Sequence, residues 1–267
     1  MLSNDDHFLR GGKNISKSRE SQKSRLLYYE DAYMKEFNAK ILEIQKPDNN
    51  HGIVLDRTAF YPTGGGQPAD TGTIKGKNGE VKVIDVRASE GRVIHIVKET
   101  AGKLIEGEQV KGIIDWQRRD ALMRNHTTAH LMAEAVRRVT KTPVEIVGSG
   151  IDVDKARLDV AYESPLSPML QEIETTANKI VEEKRPVTAR IVQRKEAETI
   201  VKQFHESLKT LPPQVQEVRI IEIKDLHACA CGGTHVKNTG EIGTVKVLRR
   251  EAKGKGVQRI EFVAKKP

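Results

Sequence analysis

The chain has 267 residues, of which 37% are hydrophobic and 31% are charged. This length allows one large domain or two of ordinary size, and the composition is typical of a soluble protein with a core and a strongly solvated surface. No apolar run approaches the roughly 20 residues of a membrane-spanning helix, and residues 1–10 lack the apolar stretch of a secretory signal. The sequence therefore predicts that the protein has no membrane partner.

The chain carries a net charge of +8, from 45 basic and 37 acidic residues. Most of this excess lies between residues 246 and 267, where eight residues are basic and two are acidic. A cluster of this kind favours contact with a polyanion such as nucleic acid. The alternative is a solvated segment that only aids solubility.

The first half of the chain is predicted to form strands. Residues 1–25 contain paired glycines, several serines and few apolar side chains, so we predict a disordered extension. Residues 26–114 then show short segments rich in β-branched side chains, at 39–44, 52–56, 81–86 and 92–97. Turn residues separate them at 47–50, 78–79 and 89–91. Closely spaced short strands predict a small β-barrel domain over 26–114.

The pattern changes near residues 112–118, and residues 115–267 are predicted to form a second domain. Asp115 is a candidate N-cap for a helix that reaches about residue 140. Ser167 followed by Pro168 predicts a second helix that ends near residue 184. A third helix is predicted at 194–208, and strands are predicted at 157–161, 187–192, 218–223, 243–249 and 258–263. Helices against a mainly antiparallel sheet make this an α+β domain, so the predicted fold class of the chain is α+β.

His126 and His130 lie four residues apart, which places both imidazoles on one face of the first predicted helix. That face is otherwise apolar, with Leu122, Ala133 and Val136 among its residues. Two imidazoles there need polar partners, because burying an unpaired polar group costs about 1–3 kcal/mol. A metal ion is one such partner, and ordinary hydrogen-bonded histidines are the alternative.

A second group of candidate ligands lies about a hundred residues further on. We expect Cys231 and His235 to approach each other because Gly232 and Gly233 allow a tight turn between them. Three imidazoles and one thiolate form a ligand set typical of zinc. Thr127 stands where common zinc proteases have a glutamate base, which argues against peptide hydrolysis by that route.

The two cysteines of the chain, Cys229 and Cys231, are one residue apart and make a poor disulfide pair. With no disulfide framework, the sequence predicts a cytoplasmic protein. We interpret Cys229 as a small buried residue without a role in the site.

Four ordered motifs resemble the editing domain of alanyl-tRNA synthetases and the free-standing AlaX editing proteins. They are residues 56–72 (DRTAFYPTGGGQPADTG), 126–130 (HTTAH), 148–159 (GSGIDVDKARLD) and 231–243 (CGGTHVKNTGEIG). The first resembles the glycine motif in the barrel domain of the longer AlaX proteins. The resemblance covers residues 26–263, and the chain is too short to hold the amino-acid activation module of a synthetase as well.

The resemblance implies a hydrolase that acts in trans and cleaves the ester of seryl-tRNA whose tRNA is that for alanine, with glycyl-tRNA as a further candidate substrate. It implies one zinc ion per chain, held by His126, His130, Cys231 and His235 or by three of them plus solvent. A zinc-bound water is the expected catalytic group, and Thr128 is a candidate to orient it. The candidate substrate contacts are Gly64, Gly65, Gly66, Gln67 and Ser149, and the candidate tRNA contacts are Arg249, Arg250 and Lys253. No phosphate-binding loop of the Walker type is present, so no nucleotide cofactor is expected.

The chain departs from the synthetase pattern in the segment that connects the two halves of the ligand set. A glutamine expected there is replaced by Ile146 or Gly150, depending on the alignment, and Ser149 is the candidate that supplies a hydroxyl instead. Two other functions stay open: a non-catalytic tRNA-binding module with a structural zinc ion, and a zinc hydrolase for another small ester or amide. The basic segment argues against the latter.

Overall fold

The computed structural model describes residues 23–45, 51–254 and 256–266. The predicted extension up to residue 22 and the predicted turn at 47–50 lie outside the described residues. The last two residues of that predicted extension are ordered, because Ser24 is buried and its Oγ donates to the Leu55 carbonyl at 2.8 Å. Arg25 then starts a short strand.

The first part of the described chain contains eight strands and one short helix. These are β1 (Arg25–Leu26), α1 (Leu27–Glu30), β2 (Glu36–Gln45), β3 (His51–Leu55), β4 (Arg57–Thr58), β5 (Gly72–Lys75), β6 (Gly79–Ser89), β7 (Arg92–Gly102) and β8 (Gln109–Ile114). Six of them close an antiparallel barrel in the order β2-β3-β7-β6-β5-β8, and β1 pairs with β4 alongside it. The barrel predicted from the short strands is confirmed, although β5 and β8 were missed.

Strand β2 illustrates how the sequence builds the barrel. Phe37, Ala39 and Ile41 point inward and are buried, while the residues between them are exposed, as the two-residue period of a strand requires. The barrel interior also holds Phe60 and one buried histidine, His95. Residues 59–71, which include the triple glycine, leave β4 as a loop and return to the barrel at β5.

The second part of the chain has helices against two antiparallel sheets. Its elements are α2 (Trp116–Thr140), β9 (Glu145–Ile151), β10 (Ala156–Ala161), α3 (Leu170–Glu182), β11 (Val187–Gln193), α4 (Arg194–Lys202), β12 (Glu217–Ile223), β13 (His227–Ala230), β14 (Thr244–Ala252) and β15 (Val257–Lys265). One sheet has the order β14-β15-β10-β9 and the other has the order β11-β12-β13. The α+β fold class is confirmed. None of the described helices is long and apolar enough to cross a membrane.

Helix α2 is the central element of this part. Asp115 caps it as predicted, since its Oδ1 accepts from the Arg118 backbone N–H at 3.2 Å. The helix ends where Lys141 adopts a left-handed backbone conformation. It packs against α3, β10 and β15, so most of its residues are buried, polar ones included.

Two predicted helix ends were wrong. Ser167 does not cap α3: residues Ser167–Met169 form a 3-10 turn with no side-chain cap, and the α-helix begins at Leu170. Helix α4 ends at Lys202 rather than near 208, because His205 takes a left-handed conformation and reverses the chain. Leu208 then folds back into the small core formed by α4 and β12.

A buried ion pair joins the two parts. Arg119 on α2 and Asp70 in the loop after β4 are both fully buried, and the guanidinium contacts both carboxylate oxygens of Asp70. The guanidinium also donates to the carbonyls of Ala32 and Ala59, and the Tyr61 N–H donates to Asp70 at 2.6 Å. Every charged group of the pair therefore has partners, which is the condition under which a buried pair is tolerated.

Candidate functional site

The four predicted metal ligands converge on one point. His126 and His130 project from the same face of α2, and Cys231 and His235 lie just after β13. Their ligand atoms all lie within 4.8 Å of one another. The Cys231 Sγ is 3.4 Å from His126 Nε2 and 3.3 Å from His235 Nε2. Residues a hundred positions apart thus form one cluster.

The proton position on His126 follows from Gln67. The amide oxygen of Gln67 accepts from the Thr234 backbone N–H at 3.0 Å, and its amide nitrogen donates to the Thr234 hydroxyl at 2.9 Å. The same oxygen lies 2.8 Å from His126 Nδ1. Because this oxygen can only accept, Nδ1 carries the proton and the Nε2 lone pair faces Cys231.

Thr127 fixes His235 in the same way. Its hydroxyl donates to the Met123 carbonyl at 2.9 Å, accepts from the Val236 N–H and lies 3.1 Å from His235 Nδ1. With its own proton already used, the hydroxyl accepts the Nδ1 proton of His235. The Nε2 of His235 is therefore also free of a proton and faces Cys231.

Burial keeps these imidazoles neutral. Desolvation holds the pKa of His126 and of His235 well below the usual value and lowers the pKa of His130 to about 4. Burial raises the pKa of the Cys231 thiol, so a metal ion that binds there must displace its proton. At neutral pH the imidazoles are therefore in the neutral form that binds a divalent cation, whereas Cys231 must lose its proton to become a ligand.

Gly233 is required by a close approach rather than by its backbone angle. A Cβ atom at this position would lie 2.1 Å from His126 Cε1 and 2.9 Å from Gln67 Oε1. A Cβ atom on the neighbouring Gly232 would contact only the Tyr29 hydroxyl, at 3.3 Å. Neither glycine has a positive φ, so no left-handed backbone conformation requires glycine at either position. Gly233 lets the chain pass directly over the His126 ring.

The triple glycine lies beside the ligand cluster, and its Gly65 lines a cavity that His126 and His130 also line. Gly64 and Gln67 exchange backbone hydrogen bonds, and Gly65 and Gly66 have positive φ. Gly66 accepts from the Ile151 N–H at 2.8 Å, and a Cβ there would lie 3.2 Å from the Ser149 hydroxyl. The turn therefore packs on strand β9, which needs glycine on both counts.

The cavity has a volume of about 150 Å³ and is partly open to solvent. Its walls include Gly65, Ser149, His126, His130 and Cys231. The barrel loop, strand β9 and the ligand cluster therefore meet around one space.

Sequence comparisons show which known proteins the chain is similar to. The family described as "tRNA synthetases class II (A)" matches residues 10–118, and the "Threonyl and Alanyl tRNA synthetase second additional domain" matches residues 218–261. The alanyl-tRNA editing protein AlaX-M of Methanosarcina acetivorans is 38% identical over 245 residues, which are 90% of this chain and 98% of that protein. The AlaX-M protein of Methanosarcina barkeri is 38% identical over 240 residues, or 88% and 97% of the two chains.

The chain belongs to the AlaX family of alanyl-tRNA editing proteins. The alanine–tRNA ligase of Pyrococcus abyssi is 42% identical over 245 residues, which are 91% of this chain but 26% of the ligase. The chain thus spans about a quarter of the length of the alanine–tRNA ligases that it matches. The family resemblance drawn from the four motifs is confirmed.

Two candidate residues of this AlaX family member have their polar groups engaged within the protein. Thr128 is fully buried, and its hydroxyl donates to the Arg124 carbonyl at 2.8 Å rather than facing the cavity. Gln67 is 1% exposed and uses both ends of its amide on Thr234 and His126. Gln67 therefore positions a candidate ligand, a role that the sequence did not suggest.

Two of the candidate tRNA contacts lie on strand β14, and Lys253 directly follows it. Arg249 bonds to both carboxylate oxygens of Glu261 yet keeps 63% of its side chain exposed, and Arg250 bonds to Gln258 at 2.6 Å. Lys253 lies 3.4 Å from Glu251. These residues lie on an edge strand of the sheet or directly after it, and they are not among the residues that line the cavity.

The interpretation of Cys229 as a small buried residue was wrong. Its side chain is only half-buried and lines the cavity, with Sγ 3.5 Å from His130 Nδ1. His130, His227 and Cys229 form a second group whose ligand atoms lie within 4.8 Å of one another. The signal for this group was the alternation of His227, Cys229 and Cys231, which places all three on one side of an extended strand.

The close approach at Gly233 can be tested by stability. Gly233→Ala forces a methyl group into the His126 ring and should lower the free energy of unfolding by about 1–3 kcal/mol, the usual range for overpacking. Urea unfolding measures it. Gly232→Ala is the matched control and should change that free energy by no more than about 0.5 kcal/mol. Equal effects of the two substitutions would contradict the assignment.

Proposed function

We propose that this protein hydrolyses the ester bond of seryl-tRNA whose tRNA is that for alanine, with one zinc ion at the cluster of His126, His130, Cys231 and His235. The observation that carries the proposal is the pair of Nε2 lone pairs aimed at one thiol, each imidazole being held through its protonated Nδ1. The two sulfur–nitrogen distances are 3.3 and 3.4 Å. Ordinary zinc–ligand bond lengths place two ligand atoms of a tetrahedral site about 3.3–3.6 Å apart, so the observed distances are close to those of a zinc site.

Each residue of the cluster has a distinct part in this proposal. His126 and His235 present fixed lone pairs because Gln67 and Thr127 hold their rings, and Cys231 supplies the negative charge. Bound zinc would lower the pKa of a water molecule toward about 7 and polarise the ester carbonyl. Both effects require a coordination position left for solvent or substrate, so a set of three protein ligands suits catalysis better than four.

The walls of the cavity support an aminoacyl group as the substrate. Gly65 brings backbone to the rim of the cavity without a side chain, and Ser149 presents an exposed hydroxyl on the wall formed by β9. We assign Gly64, Gly65 and Gly66 to the approach of the terminal nucleotide and Ser149 to the serine hydroxyl. The same cavity would admit glycine, which makes glycyl-tRNA the second candidate substrate. We expect a protein with this role in translation fidelity to act in the cytoplasm.

The test is a deacylation assay with alanine tRNA charged with serine, glycine or alanine. The zinc-loaded protein should hydrolyse seryl-tRNA and spare alanyl-tRNA. His126→Asn should reduce the rate by more than about 100-fold, because even partners of a ligand matter by 10–100-fold. The control is His205→Asn, which changes an exposed histidine at the end of α4 and should keep the parent rate.

The same assay separates the other two functions. A non-catalytic binding module with a structural zinc ion would bind the charged tRNAs and leave their esters intact. A hydrolase for another small ester would cleave a free serine ester at least as fast as seryl-tRNA. Either result would overturn the proposal.

Selectivity for serine depends on a hydrogen bond to its hydroxyl. An apolar pocket separates serine from alanine poorly, whereas a pocket that binds the hydroxyl leaves a polar group unpaired when alanine enters. Ser149→Ala should therefore slow seryl-tRNA hydrolysis by about 10-fold, the value of one ordinary hydrogen bond. Hydrolysis of glycyl-tRNA is the internal control and should stay within about twofold of the parent. Equal losses on both substrates would mean that Ser149 only shapes the wall.

Affinity for tRNA is assigned to the basic residues of strand β14 and to Lys253, which directly follows it. Replacing Arg249, Arg250 and Lys253 together with Ala should weaken binding of seryl- and alanyl-tRNA equally, because phosphate contacts carry no information about the amino acid. The slope of log affinity against log salt should fall by roughly one unit for each phosphate that the variant no longer neutralises. The control changes Lys75, Lys82 and Lys111, which are exposed on the barrel, and removes the same charge. Equal slopes for the two triple variants would assign β14 to solubility alone.

A further inference from the structure

One carboxylate lies on the wall of the cavity beside the ligand cluster. Glu206 follows helix α4, and it is the only acidic residue among the described residues that line this cavity. Burial raises the pKa of the Cys229 thiol, and the charges of Cys231 and Glu206 add to that shift. The Glu206 carboxylate therefore lies near Cys229, whose sulfur is 3.5 Å from His130 Nδ1.

Only part of this carboxylate is satisfied within the protein. Its Oε1 accepts from Arg137 at 2.7 Å, whereas its Oε2 has no hydrogen-bond partner among the described residues. The Arg137 guanidinium also donates to the carbonyls of Val144 and Phe204, so it is shared among three acceptors. Burial raises the pKa of Glu206, and the hydrogen bond from Arg137 opposes that shift. A second cation at Oε2 would stabilise the charge further.

The surroundings of Glu206 in the cavity are weakly polar. Burial lowers the pKa of His130 to about 4 and that of His227 well below its usual value, which keeps both imidazoles neutral. The apolar residues of the wall are Ala129, Ala133, Ile146, Leu158 and Ala230. Opposite charges attract each other more strongly in such surroundings than in water, so Glu206 gives the cavity a preference for a cationic group.

An aminoacyl ester has such a group, because its α-ammonium is one carbon away from the ester carbonyl. We propose that the Glu206 carboxylate binds the α-ammonium of the acyl group and thereby selects esters with a free amino group. This inference rests on the proposed function and adds a subsite to it: Ser149 recognises the serine side chain, and Glu206 recognises the group that all amino acids share. The carboxylate also offsets the repulsion between the ammonium and a divalent cation at the ligand cluster.

The test compares seryl-tRNA with its α-hydroxyacyl analogue, in which a hydroxyl replaces the α-amino group. Glu206→Gln keeps an oxygen for Arg137 and the shape of the side chain but removes the charge. It should lower kcat/KM for seryl-tRNA by about 10–100-fold, the value of one hydrogen bond between charged groups. Hydrolysis of the analogue should stay within about twofold of the parent. The ratio of the two rates, compared between variant and parent, is independent of the reactivity of each ester and of the folded fraction.

Glu134→Gln is the matched control. Glu134 also pairs with an arginine, Arg138 at 3.0 Å, but it is not among the residues that line the cavity. This variant should keep the parent's ratio of rates for the two esters. Equal losses on both esters in Glu206→Gln would mean that Glu206 only supports Arg137 and the cavity wall, and would overturn the proposal. Parent rates on both esters in that variant would overturn it as well.

A binding measurement separates this inference from the proposed function. Adenosine with a seryl amide at its 3′ position keeps the α-ammonium and has no ester to cleave, and the α-hydroxyacyl amide is the matched ligand. By calorimetry the parent should bind the seryl amide about 10–100-fold more tightly than its match, and Glu206→Gln should lose that preference. If the parent shows this preference but does not hydrolyse seryl-tRNA, the proposed function fails and the ammonium site stands. Equal affinities of the parent for the two amides would overturn the site even if seryl-tRNA is hydrolysed.

Discussion

The ion pair between Arg119 and Asp70 is the interaction on which the geometry of the site depends. It is fully buried, so its charges would be unfavourable without the carbonyls of Ala32 and Ala59 and the N–H of Tyr61 that surround it. These partners come from the barrel side of the molecule, whereas Arg119 belongs to α2. A small shift or rotation of α2 against the barrel would leave a buried charge without its partners, so the pair tolerates only one placement of the helix.

That placement carries directly into the ligand cluster. His126 follows Arg119 by seven residues, two turns of the helix, and so lies on the same face. Gln67 precedes Asp70 by three residues in the barrel loop and meets His126 Nδ1 at 2.8 Å. The ion pair thus fixes α2 in the position where Gln67 accepts the Nδ1 proton of His126. The barrel is therefore part of the metal chemistry proposed for the second half of the chain.

The sequence predicted what depends on local pattern and missed what depends on distant contacts. Helix α2 and its cap at Asp115 follow from nearby residues, and the spacing of His126 and His130 follows from the helix itself. The predicted N-cap of α3 was wrong. Ser167 and Pro168 favour a helix start locally, but the chain forms a 3-10 turn there before α3 begins. Arginine is usually a surface residue, and no residue near Arg119 in the sequence indicates that its partner, Asp70, lies 49 positions away.

The site also shows which polar groups are left to recognise a substrate. Thr127, Thr128 and Gln67 stand beside the cluster and would each be candidates by sequence, yet their hydrogen bonds are used within the protein. Turning any of them toward a substrate would break contacts that hold His126, His235 or the helix backbone. Under the proposed function, the acyl group is recognised by groups whose hydrogen bonds are not used within the protein. Ser149 is exposed on the cavity wall, so it meets that condition better than Thr127, Thr128 or Gln67 do. Under the proposed function, different elements position the ligands and choose the substrate: α2 with the barrel loop does the first, and strand β9 does the second.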